Sequence, residues 1–217
     1  MAVSKTYPAA MICEAAGLGL VLFGESRVQE WSTKRAEPAI DTALQTRTGG
    51  AFKTHLIGHL QSNKALRAVE VFDGIDTVDS LRLAERLNDA AARLGRRLPI
   101  LLEVKLSSEA SKAGLDPTAT ATAELLERLP NLVHLLPQGM MTIAPFGVAE
   151  METRACFRSL REWRDRWAAA HPALGWAVLS MGMSGDFDLA IQEGATRIRI
   201  GTALFGRRTG RADERLK

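Results

Sequence analysis

The chain has 217 residues, 46% of them hydrophobic and 24% charged, with a formal net charge of +3. This is the composition of one soluble globular domain, 1–217, with enough apolar surface for a full core. The charge is small and its arginines are scattered along helical segments such as 154–166, which argues against a nucleic-acid binder. Glu14, Gly17 and Gly19 break the apolar stretch 9–23, so it is neither a membrane span nor a signal peptide. Cys13 and Cys156 form no CxxC motif, which fits a reduced, cytoplasmic chain.

Short β-rich runs alternate with longer runs of helical period. Ala2–Ser4 reads as a first short strand, and Pro8–Ala16 as a helix with Pro8 near its first turn. Leu20–Gly24 is the second strand. Val28–Gln45 has helical period, with Pro38 set to start, kink or interrupt a segment. The third strand, His55–Leu60, runs into a turn, Ser62–Val69 is a short helix, and Val71–Val78 holds the fourth strand. Ser80–Leu94 is the clearest amphipathic helix: Leu83, Leu87, Ala90 and Leu94 line one face, and Gly95 stops it. Leu98–Leu106 is a near-continuous apolar strand, Thr118–Leu129 a helix, and Leu132–Ile143 holds the sixth strand. Glu150–Ala170 is a long arginine-rich helix ended by Pro172. Trp176–Ser180 and Arg197–Ile200 are the last two strands, with the short helix Phe187–Glu193 between them. The charged tail, Arg207–Lys217, is expected to fray.

Eight apolar strands alternating with helices point to a parallel sheet covered by helices, and eight such units to a single (β/α)8 (TIM) barrel. An open doubly wound sheet is the competing architecture, but no GxGxxG follows the first strand.

Barrel sites gather at the C-terminal ends of strands. The first strand ends at Ser4 and Lys5, the second at Gly24, Glu25 and Ser26, and the third at Gly58, His59 and Gln61. The fifth carries Glu103 and Lys105. Ser180 to Ser184 end the seventh, and Arg199, Gly201 and Thr202 end the eighth. Loops after the last two strands often hold phosphate, through backbone N–H groups and hydroxyls. Ser184 alone could be a helix cap and Gly201 alone a turn. At adjacent strand ends they read better as a phosphate cradle. Closure of the barrel sets Lys5 beside that cradle, which suits an aldehyde cofactor carrying a phosphate. A partly desolvated mouth disfavours the charged ammonium, and a neutral amine can form a Schiff base. His55 and His59 have a tempting spacing, but Gly58 between them marks a turn and no cysteine joins them, so no metal site is expected.

Seven segments, in order along nearly the whole chain, resemble the pyridoxal phosphate homeostasis protein family. They begin at Ala2-Val3-Ser4-Lys5-Thr6, Phe23-Gly24-Glu25-Ser26-Arg27-Val28-Gln29-Glu30 and His55-Leu56-Ile57-Gly58-His59-Leu60-Gln61-Ser62-Asn63-Lys64. Ser111-Lys112-Ala113-Gly114-Leu115 and Gly139-Met140-Met141-Thr142-Ile143 follow. Leu179-Ser180-Met181-Gly182-Met183-Ser184 and Arg199-Ile200-Gly201-Thr202-Ala203-Leu204-Phe205-Gly206 complete the series. The resemblance implies a barrel similar to the N-terminal domain of alanine racemase, with pyridoxal 5'-phosphate (PLP) held on Lys5. It implies phosphate contacts from Ser184, Gly201 and Thr202 with Ser180, and Arg199 facing the pyridine nitrogen. Ser26, His55 and Met181, within the matching motifs, complete the cofactor contacts it implies. An Arg at that nitrogen weakens the ring as an electron sink, which leaves racemase chemistry or simple cofactor holding.

Three departures stand out. In the family a helix usually precedes the lysine motif, whereas here Met1 stands almost at it, so a shortened N-terminus is expected. Ser26 replaces a common Asn, and Tyr7 a common Lys. The expected function is cytoplasmic PLP homeostasis, with PLP held as a lysine aldimine and supplied to apo-forms of PLP-dependent enzymes. No catalytic residue is assigned, and a monomer or weak homodimer is expected. The alternatives are an amino-acid racemase and a barrel for another phosphorylated ligand. Racemases of the related fold set a tyrosine opposite the lysine. The only tyrosine here is Tyr7, two residues from Lys5.

Overall fold

Apolar runs too short for helices pair side by side in chain order. In the computed structural model, which describes residues 1–40, 52–106 and 113–206, they form an eight-stranded sheet of order β1-β2-β3-β4-β5-β6-β7-β8. The strands are β1 (Ala2–Val3), β2 (Leu22–Glu25), β3 (Lys53–Leu56), β4 (Gly74–Val78), β5 (Leu98–Glu103), β6 (Leu135–Met141), β7 (Val178–Met183) and β8 (Arg197–Arg199). Every neighbouring pair is parallel. A parallel bridge between Ala2 and Ile200 joins the first strand to the last. The Val3 amide donates to the Ile200 carbonyl at 2.7 Å, and the Ile200 amide to the Met1 carbonyl at 3.0 Å. The sheet is thereby closed into the expected α/β barrel.

Helices cover it: α1 (Ala9–Gly17), α2 (Val28–Arg35), α3 (Ala65–Val71), α4 (Leu81–Arg93), α5 (Thr120–Arg128), α6 (Glu150–Ala170), α7 (Phe187–Gln192) and α8 (Thr202–Phe205). None of the described helices is long and apolar enough to cross a membrane. Their inward faces seal the barrel with a continuous apolar layer that includes Ile12, Trp31, Leu83, Leu87 and Phe157. Trp31 is wholly buried and donates its indole N–H to the Val71 carbonyl at 2.7 Å, so α2 is locked to α3.

Several boundaries differ from those read in the sequence. Pro38 does interrupt 28–45: α2 stops at Arg35, helix resumes at 38–40, and 41–45 lies outside the described residues. β3 ends at Leu56, earlier than expected. There a Cβ on Gly58 would lie 2.3 Å from the Ser26 carbonyl oxygen, so the two backbones are in close contact after the strands separate. Ser80 caps α4, accepting from the Leu83 amide at 3.3 Å, but Leu94 leaves the apolar face and is 42% exposed. It is the C-cap, and Gly95 at φ +62° turns the chain away there. The helix α8 carries no periodicity in so short a run and was not legible. The tail 207–217 lies outside the described residues.

A polar layer crosses the barrel interior. Asp76 on β4 accepts from Arg197 on β8 at 3.0 Å and pairs with His55 Nδ1 on β3 at 2.8 Å. Strands four and eight face each other across the barrel, so Asp76 ties its two sides together. The strand ends above this layer carry the site.

Candidate cofactor site at the barrel mouth

Two adjoining cavities open at the C-terminal ends of the strands. One, of about 230 Å³, is lined by Lys5, Arg199, Ser184, Gly201 and Thr202. The other, of about 280 Å³, is lined by Lys5, Ser26, His59, Glu103 and Lys105. Lys5, Ile57 and Ile143 belong to both walls. The pair is thus a two-lobed site with an amine at the junction and apolar side chains beside it, of a size for a small molecule. A further groove of about 360 Å³ lies outside the barrel, against the exposed arginine face of α4 (Arg82, Arg86, Arg93). It holds no strand-end residue and is a solvated helix surface.

The ends of β7 and β8 are stitched by Ser184. Its hydroxyl oxygen accepts from the amides of Gly201 at 3.3 Å and Ala203 at 3.4 Å. Arg199 is fully buried beneath them and donates to Ser180 Oγ at 3.0 Å and the Thr142 carbonyl at 2.8 Å. Burial lowers its pKa to about 10, against the pull of Asp76, Asp186 and Glu103. The guanidinium therefore stays charged at neutral pH and presents a fixed donor to the cavity, never an acceptor.

The second lobe contains a buried acid. Glu103 is 8% exposed, and its Oε2 has no hydrogen-bond partner. Burial first, and then the charge of Asp79, raise its pKa to about 7, with Arg199 opposing. The end of β5 that carries it is pinned: the Leu115 amide donates to the Glu103 carbonyl at 2.8 Å, and the Lys105 amide to the Leu115 carbonyl at 2.9 Å. His59 pairs with Asp79 at 3.3 Å on the rim.

Of the residues expected from sequence, Lys5, Ser26, Ser184, Arg199, Gly201 and Thr202 line the two lobes. Ser180 is buried behind Arg199 as its hydrogen-bond acceptor. Met181 packs in the apolar core, while Met183 lines the cavity. His55 lines neither lobe; it is buried in the polar layer on Asp76. Among the described residues no three His, Cys, Asp or Glu side chains gather to hold a metal. Lys112, in one of the matching motifs, lies outside the described residues. Sequence reasoning placed Glu103 at a strand end without a role, and it missed Lys34 and Glu30, which sit under the Lys5 turn. The i, i+4 spacing of those two on α2 was the available signal.

The donor set fits a phosphorylated aldehyde. Hydroxyls from Ser184 and Thr202 stand at one end, a buried guanidinium lies below, and a lysine stands within the same wall.

Residues 1–209 match the family model for the N-terminal domain of alanine racemase. The chain is 40% identical over 210 residues to a pyridoxal phosphate homeostasis protein of Vibrio cholerae, covering 96% of this chain and 84% of that one. It is 38% identical over 216 residues to the human pyridoxal phosphate homeostasis protein, covering 96% and 76%. PipY of Synechococcus elongatus, in a structure with PLP bound, superposes with a TM-score of 0.81 at 44% identity, covering 95% and 91%. An alanine racemase of Clostridium difficile shares the fold at a TM-score of 0.71 and 18% identity, covering 95% of this chain and 51% of that one.

Proposed function

The chain belongs to the alanine racemase N-terminal domain family and, within it, to the pyridoxal phosphate homeostasis proteins, and from that premise we propose that it binds PLP at the barrel mouth and serves in PLP homeostasis. The observation that carries this is the sharing of one cavity wall by Lys5, Arg199 and the Ser184–Gly201–Thr202 cradle, in a chain 44% identical to a protein seen with PLP bound.

The residues divide the work. Ser184, Gly201 and Thr202 bind the phosphate, with the Ser184 hydroxyl free to rotate between acceptor and donor. Arg199, a donor only, would face the ring nitrogen and disfavour its protonation. Ser26 contacts the cofactor from the second lobe. Lys5 would hold the cofactor by its amine, the group with which an aldehyde can condense with loss of water. When bound, the cofactor supplies a reactive aldehyde and a modest electron sink.

We assign the protein a carrier role in the cytoplasm, with PLP-dependent apo-enzymes as recipients. The placement of Tyr7 supports this over a racemase. The Tyr7 hydroxyl is committed to the Gly206 carbonyl at 2.6 Å, and its ring packs on Phe205 at 5.0 Å. A phenol so held does not face Lys5 as an acid–base partner.

Titration of the cofactor-free protein with PLP, followed by visible absorption, tests the reading. One equivalent should give a yellow band that borohydride bleaches. A protein that stays colourless and takes up no PLP contradicts it.

A further inference from the structure

The turn that presents Lys5 is held from below by charges that no part of the proposed function uses. β1 is only two residues long, and Thr6 sits at φ +70°, a left-handed conformation that a β-branched residue keeps only when its surroundings impose it. The imposing groups come from α2 and β2. Lys34, 7% exposed, spends its ammonium on three acceptors: the Ser4 carbonyl at 3.0 Å, Glu25 Oε1 at 2.9 Å and Glu30 Oε1 at 2.7 Å. The same Glu30 oxygen accepts the Thr6 amide N–H at 2.5 Å. Ser4 adds its hydroxyl to Glu25 Oε1 at 2.7 Å, and the Tyr7 amide also reaches the Ser4 carbonyl, at 3.1 Å.

These contacts have a common target. The Ser4 carbonyl belongs to the peptide unit that enters Lys5, and the Thr6 amide to the peptide unit that leaves it. Lys34 holds the first and, through Glu30, the second. Both planes flanking the Lys5 Cα are thus tied to one ammonium on a helix. Rotating either plane would swing the Cα–Cβ bond and move the amine out of the two-lobed cavity.

We propose that Lys34 and Glu30 are positioning residues for Lys5: they fix the turn from which its amine enters the cavity, without touching the ligand. This rests on the reading of Lys5 as the residue that captures PLP. A buried ion cluster is poor support for stability as such, because desolvating it offsets most of its attraction. Its placement on both flanks of one reactive residue is better explained by geometry.

The test separates capture from binding. Lys34→Met, Lys34→Arg and Glu30→Ala are compared with the unaltered chain in two measurements on the full protein. One is the rate of PLP capture, fixed by borohydride and mapped by peptide mass. The other is calorimetric affinity for 4'-deoxypyridoxine 5'-phosphate, which has the ring and phosphate but no aldehyde. Misplacing the amine should slow capture at Lys5 by about tenfold to 100-fold in Lys34→Met, while analogue affinity stays within about twofold. Lys34→Arg, which keeps the charge and donors, should recover part of the rate. Glu30 is half-buried, so Glu30→Ala gives the same test where Lys34→Met fails to fold, and it too should slow capture. Unchanged capture in Glu30→Ala and Lys34→Met overturns the proposal. So does a parallel loss of analogue affinity, which would make the cluster a support of the whole mouth. Capture by the unaltered chain at a lysine other than Lys5 overturns the underlying reading, and this inference with it.

Discussion

The Ser184 hydroxyl oxygen lies 3.3 Å from the Gly201 amide nitrogen, so one side chain at the end of β7 organises the backbone at the end of β8. Because Ala203 donates to the same oxygen at 3.4 Å, two backbone N–H groups converge on this one hydroxyl.

Ser184→Ala removes that acceptor and the hydroxyl at once. The expected outcome is a loss of about tenfold in affinity for PLP, measured by calorimetry, with a stability cost of only about 1 kcal/mol. Unchanged affinity would place the phosphate elsewhere.

Glu103 makes the site sensitive to pH. Its folded pKa of about 7 lies above the usual carboxylate value because burial disfavours the charged form. A raised acid stabilises the fold fully below its unfolded pKa, near roughly 4.3, and that contribution is lost as pH climbs through the folded value of about 7. Thermal stability should therefore fall between about pH 4 and pH 7 and level off above, by on the order of 3 kcal/mol. Affinity for the anionic cofactor should fall as pH rises through about 7, where Glu103 ionises in the folded protein and joins Asp79 in charge beside Lys5, Lys105, His59 and Arg199. Glu103→Gln should flatten both profiles. Equal slopes in the two proteins would show that another group is responsible.

Asp76 is 1% exposed and holds both His55 and Arg197. Asp76→Ala leaves the partly buried Arg197 guanidinium and the buried His55 ring without their shared partner and should cost about 1–3 kcal/mol in urea denaturation. His55→Gln should lower stability while leaving PLP affinity within about twofold, since His55 lines neither lobe. A large affinity loss in His55→Gln would restore it as a cofactor contact.

The barrel was legible because strand order follows chain order. Each apolar run pairs with the next, and the one long-range closure, Ala2 to Ile200, follows from counting to eight. That count also brought Lys5 beside Arg199, Gly201 and Thr202. What the sequence hid were partnerships that depend on side-chain reach. Lys34 lies in a helix of mostly polar residues, and nothing in the local sequence shows that it is buried against Ser4 and Glu25. His55 sits in a family-like motif near the third strand end, but its register turns the ring inward to Asp76. Leu94 fits the apolar period of α4 and is exposed only because the helix stops there.

The central claim is that Lys5 is the residue that holds PLP, and peptide mapping after borohydride reduction tests it most directly. The purified protein is loaded with one equivalent of PLP, reduced, digested and analysed by mass. The account predicts that the added mass falls on Lys5, and that Lys5→Ala takes up PLP without a fixed adduct. Added mass on Lys105, Lys112 or another lysine, with Lys5 unmodified, would contradict it.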